Sequence, residues 1–284
     1  MAVTVADSLW LAAHDNVKDK PRIGEWPLGI GLGAGLLAEL IGDGHLELRD
    51  GEFFRTMQPP TTDMALGPLL ATIVEEEQSQ APPQPAATRP WQEPSRQRPG
   101  PAADTPGWPY PSTADRNLHP LRASYPPMPQ SAAPAFGLPP DPQTRHRQPG
   151  HRLADWLAYL AYDRRAEQLV AARLARHGLV TQVEKRRLIG APTIRHTPYN
   201  SVVAGTPASA ITIAVQRREP LDADQLLLAG LFLATGLHHH ALATLTLEQR
   251  STLEAQLAES LPAVFRELLR AADIAVGEAA LRKR

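Results

Sequence analysis

The chain has 284 residues, with 29 Lys and Arg against 30 Asp and Glu, ten His, 29 Pro and no Cys. That length allows one or two domains with a core large enough to fold unaided. The lack of Cys excludes disulfides, thiolate metal sites and a cysteine nucleophile, and a net charge of −1 leaves an anionic partner to be met by a local patch rather than by overall charge.

Met1–Ala13 has neither a basic leader nor an apolar run of signal-peptide length. Thr4-Val5-Ala6-Asp7 reads as a cap opening a short helix that carries Leu9, Trp10 and Ala13. After a polar turn at 15–20, Leu28, Leu32, Leu36 and Leu40 repeat at the spacing of one helix face, interrupted by Gly29, Gly31, Gly33 and Gly35. His45–Arg49, Asp50-Gly51 and Glu52–Phe54 make strand, tight turn and return strand, a β-hairpin. Asp63 or a neighbouring Thr caps a helix through Leu66, Leu69, Leu70 and Ile73.

Proline then takes over. Nineteen of the 29 prolines fall between Gln78 and Gly150. A residue without an amide donor cannot build ladders, and so polar a stretch cannot bury enough surface to offset its chain entropy. Residues 78–150 therefore read as a Pro-rich disordered insertion. Beyond it, Trp156, Leu157, Leu160, Leu169, Val170 and Leu174 mark a long or broken amphipathic helix that stops at Gly178. Leu179–Glu184 and Arg187–Ile194 read as two strands around a Lys185–Arg186 turn. Further helices are expected over Pro207–Arg217, Ala223–Gly236, Leu247–Glu259 and Pro262–Val276. The longest apolar stretch, Leu226–Leu237, is twelve residues, short of the roughly 20 a spanning helix needs. The expected fold is mostly α: one helical domain formed by 1–77 and 151–284, with small β-hairpins and the long insertion between.

Three motifs invite chemistry and fail on spacing. The glycine row at 29–35 evokes a dinucleotide loop, but no strand precedes it and leucines at helical spacing run through it. His238, His239 and His240 are adjacent, so a helix fans them about 100° apart and they do not converge on one metal. No serine elbow, phosphate loop or paired carboxylate set is present, and Asp15, Asp63 and Glu39 read as turn, cap and helix-surface groups. The chain reads as non-enzymatic, with no cofactor and no metal.

The charge feature that stands out is a basic run. Arg164, Arg165, Arg173, Arg176, Lys185, Arg186, Arg187 and Arg195 face only Asp163, Glu167 and Glu184, a local +5 in a chain of −1. A solvated face is the ordinary fate of such a run. Two alternatives give it work: a helix and basic hairpin reading nucleic acid as a winged helix does, or the same patch lying on anionic lipid, where each surface cation contributes about 1 kcal/mol. A third reading makes the Pro-rich insertion bait for a protein partner.

The order of these motifs resembles the Golgi phosphoprotein 3 family, in particular its bacterial branch. The residues that carry the likeness are Lys20-Pro21-Arg22, Gly31-Leu32-Gly33-Ala34-Gly35-Leu36-Leu37-Ala38-Glu39-Leu40, the Gly44–Phe54 hairpin, Pro60-Thr61-Thr62-Asp63 and Arg176-His177-Gly178-Leu179-Val180. The resemblance implies a mostly helical, cytosol-facing protein that binds phosphatidylinositol 4-phosphate and associates peripherally with membranes. By the same resemblance, Trp26, Arg164 and Arg165 are the lipid-headgroup residues. Gly33 and Glu167 stand where the family places an Arg and a second basic residue. The hairpin at 179–194, with Lys185, Arg186, Arg187, Leu188 and Ile189, would touch the membrane and join protomers. The expectation is a cytoplasmic protein on the inner face of a membrane, with anionic phospholipid and a second copy as partners rather than nucleic acid.

Overall fold

The computed structural model describes residues 3–14, 20–80, 150–185 and 193–282. Those residues are mostly helical, as the periodicity predicts. Residues 81–149 of the Pro-rich insertion, and Arg186, Arg187, Leu188 and Ile189 of the hairpin, lie outside the described residues, whereas Gln78–Gln80, expected in the insertion, are helical. Residues Met1–Gln80 and Gln148–Arg284 belong to one packed unit.

Helix α1 (Val5–Ala13) starts where Thr4 Oγ1 accepts from the amide of Asp7. Helix α2 (Glu25–Gly42) is the axis of the core, with Leu28, Ile30, Leu32, Leu36 and Leu40 fully buried. The glycine row explains how neighbours reach it. A Cβ at Gly29 would stand 2.8 Å from the backbone of Ala161, one at Gly35 3.1 Å from Ala6, and one at Gly33 3.0 Å from Leu160. The missing side chains let two neighbouring helices close on this axis, a packing role rather than a phosphate cradle.

Strands β1 (Leu46–Arg49) and β2 (Glu52–Arg55) form the expected hairpin. Its turn residues Asp50 and Gly51 both have positive φ, the conformation two-residue hairpin turns need. Helix α3 (Leu66–Gln80) follows, its first amides held by Asp63 Oδ1 at 2.8 Å. When the described chain resumes, β3 (His151–Arg152) pairs with β2 and extends the hairpin to three strands. A two-residue strand has no periodicity to reveal it in sequence.

The amphipathic stretch that follows is broken. Helix α4 (Leu153–Ala161) and helix α5 (Arg165–Arg176) are separated by a 3₁₀ turn at Tyr162–Arg164, in which Asp163 and Arg164 both take left-handed backbone, φ 53° and 58°. Strands β4 (Val180–Lys185) and β5 (Thr193–Pro198) then pair from Val180 opposite Pro198 to Lys185 opposite Thr193. Lys185 is therefore paired in the ladder rather than set in a turn, and residues 186–192, which include most of the expected second strand Arg187–Ile194, lie outside the described residues. The described part of the second strand, Thr193-Ile194-Arg195-His196-Thr197, is rich in β-branched residues and has no Gly or Pro to break a ladder.

Helix α6 (Ser201–Arg217) also corrects an expectation, since it starts at the Asn200 cap and carries Pro207 inside its second turn rather than at its first position. Helices α7 (Ala223–Ala234) and α9 (Leu247–Ser260) open on capping boxes, Asp222 with Gln225 and Thr246 with Gln249. Between them α8 (His238–Ala241) is a single turn. The last helix, α10 (Ala263–Arg282), runs six residues past Val276. Among the described residues no helix is long and apolar enough to cross a membrane.

Candidate functional site

The basic run divides on folding. Arg173, on the inner face of α5, is 1 % exposed and forms the centre of an ion-pair hub. Its Nε donates to Asp7 Oδ1 at 2.9 Å, its Nη1 to Glu39 Oε2 at 2.7 Å and Asp63 Oδ1 at 3.3 Å, and its Nη2 to Thr4 Oγ1 at 2.6 Å. Glu39 is thus not a helix-surface group: it holds Arg173 and accepts from the amide of Ala6. Asp63 joins the hub as well as capping α3. One guanidinium faces three carboxylates, so burial wins over pairing at two of them and raises the Asp7 and Glu39 carboxyls above their ordinary values. Burial acts the same way on Asp63, but the amides of Leu66 and Ala65 together with Arg173 outweigh it and bring that carboxyl down. Arg173 itself is held more firmly protonated by Glu39, Asp7 and Asp63 against the cost of its burial. The hub ties the chain before the insertion to the chain after it. It removes one charge from the presumed surface patch.

Arg164 stays outside, at the lip of an open cleft of roughly 980 Å³ between the start of α2, α4 and α10. Trp26 lines the same cleft, although the two residues are far apart in sequence. Arg165 does not line it. Its guanidinium turns outward and lies 4.0 Å over the ring of Tyr159 and 5.4 Å from that of Tyr162, a cation–π sandwich. Tyr162 is exposed and lines the cleft. The floor is built of small residues, among them Ala158, Ala161, Ala271 and Ala275.

Glu167 changes the electrostatics of this lip. Arg164 grips it with two hydrogen bonds, Nε to Oε2 at 2.8 Å and Nη2 to Oε1, and His14 stands 3.6 Å away on the other side. His14 stacks on Trp10 and hydrogen-bonds its carbonyl. Burial pushes the Glu167 carboxyl up, but His14 and Arg164 overcome it and hold it down to about 2. The bond from Glu167 raises Arg164 in return. The remaining charged groups lining the cleft, Glu25, Asp155, Asp163 and Glu278, are all acidic.

The rest of the basic run is spread out. Arg176 is exposed and contacts the Met64 sulfur. Lys185 ends β4, and Arg186, Arg187, Leu188 and Ile189 lie outside the described residues. On α5 the solvent side offers Arg165, Gln168, Ala172 and Arg176, two cations at its ends, one of them stacked on Tyr159, where a groove-reading helix needs a row of them. The His238 and His239 rings lie 4.0 Å apart between centroids, tilted by 39°, and among the described residues no group of three His, Asp or Glu side chains is placed to hold a metal ion.

A family model described as Golgi phosphoprotein 3 (GPP34) matches residues 5–92 and 139–279. The chain belongs to the Golgi phosphoprotein 3 family. The match spans the four charged residues of the hub, the residues lining the cleft and the β4–β5 ribbon, and it leaves out the middle of the Pro-rich insertion. A search of curated proteins finds none that matches the chain. Sequence reasoning missed the hub because its acids lie 110 to 166 positions from Arg173. It missed the acidic character of the cleft for the same reason.

Proposed function

We propose that this member of the Golgi phosphoprotein 3 family is a peripheral membrane protein that docks on anionic phospholipid and performs no catalysis. The observation that carries the reading is the convergence of Trp26 and Arg164 on one cleft whose edge presents Tyr162, with Tyr159 and Arg165 stacked beside it. Aromatic rings with one polar end, next to a cation on an apolar stem, suit the boundary between headgroups and acyl chains. The hairpin supplies the attraction. Lys185, Arg186 and Arg187, with Leu188 and Ile189, are a tip of three cations and two apolar residues, each cation contributing about 1 kcal/mol near an anionic surface. The same ribbon, 179–194, joins protomers, so that two tips meet one membrane face. The face is the cytoplasmic one, where anionic lipid is concentrated.

Selectivity for phosphatidylinositol 4-phosphate, which the family resemblance implies, is not part of the proposal. Gly33 packs on Leu160, and Glu167 occupies the second basic position and neutralises the first. A phosphate monoester entering this cleft would find one engaged guanidinium and four carboxylates. The test is flotation of the full chain with phosphatidylglycerol–phosphatidylcholine vesicles, and with vesicles in which phosphatidylinositol 4-phosphate supplies the same charge. Binding at low salt that is lost on adding salt, and lost in Arg186→Glu/Arg187→Glu, is expected, with no advantage for the phosphoinositide. Failure to float at low salt ends the proposal.

A further inference from the structure

Two basic groups share one carboxylate behind the lip of the cleft, and only one of them can reach a lipid. Glu167 lies between Arg164, half exposed and lining the cleft, and His14, which is buried. The tautomer of His14 is set by its neighbours. Its Nδ1 stands 2.8 Å from the carbonyl oxygen of Trp10. A carbonyl only accepts, so Nδ1 carries a hydrogen, and in the neutral ring Nε2 is then a lone pair. That lone pair stands opposite Glu167 Oε1. Two acceptors repel, which accounts for a separation of 3.6 Å, longer than a hydrogen bond. One added proton turns this contact into a charge-assisted hydrogen bond.

The surroundings receive that proton. His14 closes the C-terminus of α1, where the helix dipole favours a cation, and its ring stacks on Trp10 at 3.9 Å between centroids, a face that attracts an imidazolium. Against it stand burial, the charge of Arg164, and His196 of β5, which is electrostatically coupled to His14, Arg164 and Glu167. Burial holds His196 below the ordinary imidazole value, so that ring stays neutral where an ordinary histidine begins to charge. Among the other described groups, Glu25 acts on Arg164 from the start of α2, and Arg22, whose amide bonds the carbonyl of Ala13, is exposed. Glu167, held down to about 2, is ionised throughout the range in which a histidine titrates.

We infer that His14 is a proton-operated release for Arg164: on binding a proton it draws Glu167 to its own Nε2, and Arg164 turns to the phosphate of an anionic lipid at the cleft. His14 is thus a positioning residue that never touches the lipid. The inference rests on the membrane-docking reading and adds a condition to it, since docking at the cleft strengthens as pH falls through the histidine range. The cations of the hairpin tip, Lys185, Arg186 and Arg187, keep their charge throughout that range, so the attraction they supply does not change.

The experiment is flotation of the full chain with phosphatidylglycerol–phosphatidylcholine vesicles at constant ionic strength, at about pH 7.5 and about pH 5.5, either side of the ordinary imidazole value. The phosphate diester of phosphatidylglycerol keeps its charge over this interval. Apparent affinity should rise about five-fold on acidification, the size of one partly exposed ion pair. His14→Gln should abolish the rise and keep the affinity at neutral pH. Glu167→Gln, which releases Arg164 at either pH, should bind at neutral pH as tightly as the native chain does in acid. His240→Gln, at an exposed histidine, should leave the rise intact, which separates the release from a general gain of positive charge. Without vesicles, the Arg164 Nε–H NMR signal, assigned through Arg164→Gln, should move with pH in step with the His14 ring and stand still in His14→Gln. Affinity indifferent to pH, a rise that survives in His14→Gln or Glu167→Gln, or an Arg164 signal that ignores His14 would each overturn the release while leaving membrane docking in place. Failure of the native chain to float at either pH would instead end the docking reading, and this inference with it.

Discussion

Arg164 and Arg173 stand nine positions apart on one stretch of chain and meet opposite environments. Arg173 is enclosed by Asp7, Glu39, Asp63 and Thr4 and belongs to the core. Arg164 is half exposed at the lip of a cleft, held by the neighbouring Glu167. In sequence the two are equal members of a basic run. In the fold one is a rivet between distant segments and the other a surface group whose partner sits one helical turn away. Counting charges along a chain cannot separate these cases, because the counter-charges of a buried arginine arrive from elsewhere.

The comparison breaks most sharply at the interior residue. Arg173→Ala leaves the buried carboxylates of Asp7 and Glu39, and the partly exposed one of Asp63, without their cation, and removing one partner of a buried pair costs about 3–5 kcal/mol. We expect the variant to lose its cooperative thermal transition or to melt far below the native chain. Gly29→Val is next. A side chain there meets the backbone of Ala161, which cannot move aside as a flexible side chain would, and overpacking of this kind costs about 1–3 kcal/mol. Denaturant unfolding should show a lowered midpoint with an unchanged slope. Arg164→Ala comes last, at under about 1 kcal/mol for a partly exposed pair. A stability loss in Arg164→Ala equal to that in Arg173→Ala would erase the distinction between rivet and lip.

Titration separates the same two regions with opposite signs. The folded state holds Glu167 down to about 2, below its unfolded value, so the unfolded chain binds more protons across that interval. Its contribution is present above the unfolded value and is lost as pH falls toward about 2. Asp7 and Glu39 are raised on folding, so there the native state binds more protons and stability declines as pH rises past ordinary carboxylate values. Melting temperatures across the acid range should show Glu167→Gln flattening the acid limb. Asp7→Asn should flatten the decline on the other side.

Much of the framework was legible in sequence because it is local. The Thr4 cap, the leucine face of α2, the Asp50-Gly51 turn and the left-handed Gly178 are set by neighbours within a few residues. What escaped was either non-local or locally misleading. Pro207 marks a helix start by habit, yet Asn200 caps α6 seven residues earlier. Lys185 reads as a turn residue beside Arg186, yet it pairs with Thr193 in the ladder. At the site, Trp26 and Arg164 were nominated by family resemblance and the fold brings them to one cleft, while Arg165 turns to Tyr159 outside it. Neither Asp155 nor Glu278 carried any sequence signal, since an acid on a helix is ordinarily a solvated group.

The most direct test of the membrane-docking account is hydrogen–deuterium exchange of the full chain with and without phosphatidylglycerol vesicles. Docking predicts slowed exchange along 153–165 and 180–198, around the cleft lip and the ribbon, with the Arg173 hub unchanged. Exchange left unaltered by vesicles in both segments, or protection confined to α6 and α9, would contradict it.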